Sequence, residues 1–227
     1  MSIKLDFAVV LERWPLFLDG AWLTIQLSIV ATMLGFVIGT LCAVGRRSRI
    51  PAVARACGIY VEVIRNTPLL VQIFLVYFGL SSLGLSLPAF SVAIIALTIN
   101  VGAYTTEIMR AGFDSIPKGQ LEAGEAVGLS HWQIYWHVIL LPAMERVYPA
   151  LTSQFVLLML ASSVTSQISA EELTAVANYV QSDTYRAFET YIAVAILYLL
   201  LSLLMRAGFW GLAQAIFPRR RRLGTPI

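Results

Sequence analysis

In a chain that is 58% hydrophobic and only 13% charged, the few groups able to pair, donate or accept stand out. Glu62, Arg65, Glu107 and Arg110 lie at the ends of long apolar runs, where unpaired charge is costly. They suit ion pairs that fix helix ends, with direct solute contact as the other role open to them. Deeper in the runs sit the amides of Gln72 and Asn100 and the hydroxyls of Ser162 and Ser163. At about 1.5 Å of rise per helical residue, all four reach comparable depths near mid-membrane. There they can meet the α-amino or α-carboxyl group of a small polar solute, or bond one helix to another. Thr67, beside Pro68, adds a hydroxyl where the second run begins. No catalytic site is expected: GxSxG and HExxH are absent, and the runs hold no cluster of His and Asp. No metal site is expected either, because Cys42 and Cys57 lack CxxC spacing and a histidine at ligand distance in sequence. His131 and His137 fall in a polar helical stretch and read as packing or interface residues.

The elements that must position these groups are transmembrane helices. A soluble domain carries about 25% charged residues, whereas this chain of 227 residues has a mean hydropathy of +0.77. Its length allows roughly five or six spans of about 20 residues. The expected fold is all-α integral membrane, with about five transmembrane helices. Their expected ranges are 21–44, 59–80, 89–109, 147–168 and 191–210. Residues 1–20 read as an interfacial segment anchored by Trp14 and Trp22, 21–212 as one membrane domain, and 213–227 as a basic tail. Gly35 and Gly39 give the first span a small face for close helix contact. With Arg46, Arg47, Arg49 and Arg55 placed inside, 13 of the 16 Lys and Arg residues gather on one side. The positive-inside rule then puts the N-terminus outside and the C-terminus in the cytoplasm.

Between the third and fourth spans runs the most heavily punctuated polar stretch, 112–149, with its loop proper at 112–142. Pro117 suits a first helical turn, Gly128 a left-handed helix stop, and Ser130 with Gln133 a capping box that opens a second helix. Leu121, Ala126, Val127 and Leu129 read as a short apolar face. Two short helices joined at a glycine corner and lying across the spans are expected.

The run Gly119-Gln120-Leu121-Glu122-Ala123-Gly124-Glu125-Ala126-Val127-Gly128-Leu129-Ser130 resembles the EAA loop of bacterial ABC importer permeases. Three further blocks, 60–72, 102–112 and 115–120, resemble the polar amino-acid subfamily of those permeases, so the likeness extends from Asp19 to about Trp210. It implies alternating access, with two such permeases forming the pathway. Two cytoplasmic ABC ATPases would hold ATP and magnesium, and an extracytoplasmic amino-acid-binding protein would deliver the solute. The second permease would be either identical to this chain or different from it. The location implied is the bacterial cytoplasmic (inner) membrane, with no role for nucleic acid. The EAA loop would act as a coupling helix seated on the ATPase through Gly119, Glu122, Ala123, Gly124, Val127, Gly128, Leu129 and Ser130. No GxxxxGK[ST] loop is present, so nucleotide chemistry falls to that partner.

Where the subfamily often has Lys-Asp-Thr-Ser in the fourth span, this chain has Leu160-Ala161-Ser162-Ser163. Thr67, Gln72, Asn100, Ala161, Ser162 and Ser163 are the expected pathway residues. Without the charged pair, either the solute is not basic or the second permease supplies the main contacts. The loop also carries Gly124 in place of its second alanine, and Pro142 one place later than the pattern. The rival readings are an intramembrane enzyme, a self-contained secondary transporter, or an importer of some other small polar solute. Five spans without a detectable inverted repeat weigh against the secondary transporter.

Overall fold

The computed structural model describes residues 5–217, and every regular element among them is a helix. A short turn α1 (Ala8–Leu11) precedes α2 (Trp14–Arg46). Pro15 sits in the first turn of α2, where its missing N–H leaves nothing unpaired. The segment expected to lie at the interface therefore enters the first long helix already at Trp14. Among the described residues, four helical stretches are long and apolar enough to cross a membrane: Trp14–Arg46, Ala89–Asp114 (α5), His131–Ile168 and Ala187–Ile216 (α10).

The expected second span is not one straight helix. It is broken into α3 (Pro51–Arg65) and α4 (Leu69–Ser82), which meet at 111°. Pro68 has no N–H to continue the ladder, and its ring pushes Thr67 out of the helical region.

The fourth span also differs from expectation. Helix begins at His131 as α7 (His131–Gln133), passes through a π segment at Ile134–Leu140, continues as α8 (Leu141–Ala161) and ends in a 3-10 stretch, Ser162–Ile168. The expected range, 147–168, starts too late, because the short second helix expected after Ser130 does not close at Pro142 but runs on into the span. Pro142 instead occupies the first turn of α8. Between the fourth and fifth spans lies α9 (Leu173–Thr184), and α6 (Lys118–Ala126) leads into the corner before α7.

The core is a seam between α2 and α5. A Cβ on Gly39 would stand 2.7 Å from the Gly102 carbonyl oxygen, so the two backbones approach as closely as glycine allows. Ala31, Ala43, Leu97, Val101 and Met109 are fully buried along or beside this seam, and α8 closes over it with Leu151, Phe155 and Leu158. A second cluster joins Phe17, Met159, Leu173, Val180 and Leu197, holding α9 against α2 and α10. The basic run at Arg219–Arg222 lies outside the described residues.

Candidate functional site

The corner between α6 and α7 is built by its backbone. Val127 ends α6 and Gly128 follows in the left-handed region at φ +78°. The Gly128 N–H donates to the Glu125 carbonyl at 3.0 Å, and Leu129 N–H donates to Gly124 at 3.1 Å. This is the paired closure of a Schellman motif, open to glycine without strain. Two residues on, the Ser130 hydroxyl accepts from Gln133 N–H at 3.3 Å while Ser130 N–H donates to the Gln133 side chain at 2.9 Å. The expected capping box is therefore present. Pro117 stands one place earlier than expected, at the N-cap in an extended conformation.

The expected coupling residues divide by burial. Gly119, Glu122, Ala123, Val127, Gly128 and Ser130 are exposed, Leu129 is half-buried and Gly124 is buried. Gly124 faces Ile134, where a Cβ would stand 3.3 Å from the isoleucine side chain, so glycine in place of the subfamily's alanine admits a tighter fit. The expected apolar face is split: Leu121 and Leu129 turn partly inward, while Ala126 and Val127 face out, Val127 at 75% exposure. The corner is rooted on both sides. Arg146 of α8 donates to the Ser115 hydroxyl at 3.1 Å, and the rings of Phe113 and Tyr135 lie 6.4 Å apart.

At the same end of the bundle, Glu107 gathers three guanidinium groups. Arg46 forms a close ion pair with it, Arg110 lies at 2.9 Å and Arg65 at 3.7 Å. One carboxylate thereby ties α2, α3 and α5 together. Asp114 holds Arg110 at 2.8 Å and Arg47 at 3.8 Å. Glu62 stays apart and accepts from the Asn66 amide at 3.2 Å. The geometry is that of ion pairs fixing helix ends.

Three of the expected pathway residues meet in one network at the α3–α4 break. Gln72 Nε2 donates to the Ile64 carbonyl at 2.7 Å, to the Thr67 carbonyl at 3.0 Å and to the Thr67 hydroxyl at 2.9 Å. Its Oε1 accepts from Asn100 Nδ2 of α5 at 2.9 Å. The amide satisfies carbonyls that the bend exposes, and it binds the broken element to α5. Of the two roles the sequence left open, these hydrogen bonds serve helix-to-helix contact.

Ser162 and Ser163 do not join that network. Their hydroxyls donate back to Met159 and Leu160 at 2.7 and 2.8 Å, and Thr165 and Ser166 repeat the pattern one turn on. Four such back-bonds in succession suit the tighter 3-10 geometry seen there. The stretch still packs against α4 and α5, with Val164 and Ile168 in one apolar cluster with Ile73 and Ala93. Ala161 is half-buried at its start.

Glu172 is a site the sequence did not reveal. Fully buried, it caps α9 by accepting from Thr174 N–H at 3.0 Å and Ala175 N–H at 2.9 Å, and Tyr198 of α10 donates to it at 2.6 Å. Burial raises its pKa above the ordinary carboxylate value, and the donated hydrogen bonds offset part of that rise. An acid followed three places on by a free backbone N–H was the available signal, but nothing local marks it as buried. Among the described residues, no group of three His, Cys, Asp or Glu side chains is placed to hold a metal ion.

Residues 35–221 match the family described as "Binding-protein-dependent transport system inner membrane component". The probable glutamine ABC transporter permease protein GlnM of Bacillus subtilis is 35% identical over 204 residues, covering 90% of this chain and 94% of that one. The L-cystine transport system permease protein TcyB of the same organism is 34% identical over 208 residues, covering 91% and 87%. Among solved structures, one titled "Crystal structure of an amino acid ABC transporter with histidines" superposes with a TM-score of 0.86 at 35% identity. It covers 94% of this chain and 100% of the other.

Proposed function

The chain belongs to the family of binding-protein-dependent transport system inner membrane components, and on that premise we propose that it is the permease subunit of an ATP-driven importer of polar amino acids. It works in the bacterial cytoplasmic membrane as one of a pair of permeases, with a cytoplasmic ATPase beneath each and an extracytoplasmic binding protein above. ATP and magnesium sit on the ATPases. The N-terminus lies outside and the corner faces the cytoplasm, in keeping with the distribution of Lys and Arg.

The observation that carries this reading is the corner itself. It exposes Glu122 and Val127 on a turn whose backbone closes its own hydrogen bonds and whose two ends are rooted in α5 and α8. A load applied there passes into two membrane-crossing helices rather than into a slack loop. Closure of the ATPases on ATP moves the corners and rocks the permease halves toward the binding protein, and hydrolysis resets them. The pathway runs beside the 3-10 stretch, where Ala161, Ser162 and Ser163 offer no charge, so the solute is neutral there or its charge is met by the second permease.

The test is purification of the intact chain in mild detergent with native mass spectrometry of everything that accompanies it. ATP-dependent uptake of a panel of labelled amino acids into proteoliposomes then follows. Two ATPases, two permeases and uptake of a polar amino acid are expected. A folded chain that reproducibly copurifies with no ATPase, or that transports without one, overturns the proposal.

A further inference from the structure

On the side of α2 turned away from α5, Met33, Val37 and Leu41 form an exposed apolar stripe at four-residue spacing. It holds no small or polar residue of the kind that helix partners use; those face α5. The stripe runs down into a groove of about 470 Å³ between the end of α2, the start of α3, the end of α5 and the π segment. Leu41, Val44, Val53, Phe113 and Ile139 make its floor and walls, and Arg47, Ser48 and Tyr135 its polar rim.

The rim carries uncommitted donors and positive charge. The Ser48 hydroxyl accepts from Ile50 N–H at 3.1 Å, which leaves its own proton free to donate. The Arg47 guanidinium lies 5.9 Å from the Phe113 ring centroid and reaches Asp114 only at 3.8 Å, while that carboxylate is bound more closely by Arg110 at 2.8 Å. Glu107 is occupied by Arg46, Arg65 and Arg110. Arg49 in the turn before α3 and Arg55 within α3 have no carboxylate within 4.0 Å among the described residues.

We propose that this groove is a binding site for an anionic phospholipid of the cytoplasmic leaflet. The phosphate sits at Arg47 and Ser48, and an acyl chain runs along Leu41, Val37 and Met33. Apolar surface graded into a basic rim is the complement of such a lipid. The orientation it requires is the one given under Proposed function. Because Tyr135 and Ile139 belong to the π segment that roots the corner, the lipid would brace the joint through which the ATPase's movement enters the membrane helices.

The test exposes the purified chain, with whatever subunits accompany it, to vesicles of equal parts phosphatidylcholine and phosphatidylglycerol. Native mass spectrometry then counts the lipids retained. Wild type is expected to keep phosphatidylglycerol in excess. Arg47→Gln should cut that excess about fivefold, the weight of one arginine near an anionic surface, and Arg47→Lys should restore most of it. Val44→Trp blocks the groove from an exposed position without touching an ion pair, and it should cut retention with Arg47 intact. Arg206→Gln, at a cation on a different groove, should leave the excess unchanged. Equal retention of the two lipids by wild type overturns the proposal, as does an undiminished excess in the correctly folded Val44→Trp protein. Loss of the excess in Arg206→Gln also overturns it, by placing the site elsewhere. If Val44→Trp sheds the ATPase while wild type shows no lipid preference, the groove is a protein contact instead. None of these readings depends on transport, so the lipid site and the import function fail separately.

Discussion

At the corner between α6 and α7, backbone groups close their own hydrogen bonds and the side chains are left facing outward. At the break between α3 and α4, the reverse holds: the bend leaves carbonyls open, and side chains from elsewhere come in to close them. Gly128, Ser130 and Gln133 need only their immediate neighbours. Gln72 must reach back eight residues to Ile64 and sideways to Asn100 of another helix. A turn that satisfies itself can present a surface to a partner and survive changes on that surface. A break satisfied from a distance stays intact only while the bundle around it does. The first is a handle, and the second a joint inside the machine.

Mutations can break or sharpen that contrast. The largest effect is expected inside, at Glu107→Ala, which strands Arg46 and Arg65 and leaves Arg110 to Asp114 alone. With the carboxylate 19% exposed, the loss should be about 2–3 kcal/mol, below the range for a fully buried pair. It is read as a fall in the thermal unfolding midpoint in detergent. Gln72→Leu comes next: it leaves the Asn100 amide without its partner and takes a donor from the Ile64 and Thr67 carbonyls, at a cost of about 1–3 kcal/mol. A double-mutant cycle with Asn100→Ala should show coupling between the two positions, and strict additivity would mean the hydrogen bond carries no weight. Gly128→Val forces a β-branched residue into the left-handed region at about 1–2 kcal/mol. Its unfolding midpoint should move less than that of Glu107→Ala, yet it should uncouple ATP hydrolysis from uptake. If both fell together, the corner would not be the self-contained element described.

The smallest effect concerns Glu172. Its folded pKa is raised by burial, so the folded protein keeps a proton that the unfolded chain releases above the ordinary value of 4.5. Its contribution to stability is therefore full below 4.5 and declines as the pH rises through the folded pKa. Across that window wild type should lose stability relative to Glu172→Gln, and parallel pH profiles for the two proteins would remove the carboxyl from the account.

The same contrast governs what the sequence could disclose. Stop and start signals at Gly128 and Ser130 are local, and they were legible down to the capping box. The spans of α2, α5 and α10 were legible from apolar length, and the seam at Gly35 and Gly39 from spacing. The reach of Gln72 to Ile64 depends on a 111° bend that no local pattern states, although Pro68 marked where it would fall. Glu172 is buried by Tyr198, 26 residues away in sequence, so its environment was invisible. A short second helix was legible after Ser130, but not its continuation past Pro142 into the fourth span, because a proline in a first turn and one that ends a helix look alike in sequence.

The π segment at Ile134–Leu140 carries a consequence of its own. Its i→i+5 ladder fits more residues into each turn than an α-helix does, so it acts as a one-residue insertion concealed between the corner and α8. One residue of α-helix corresponds to about 100° of rotation. Removing a single residue there would let the ladder relax to α and swing the outward face of α6 by about that angle around the axis of α8, with every cap left whole. The compass bearing of the corner is stored as a residue count, a kind of information that no single contact in the molecule holds.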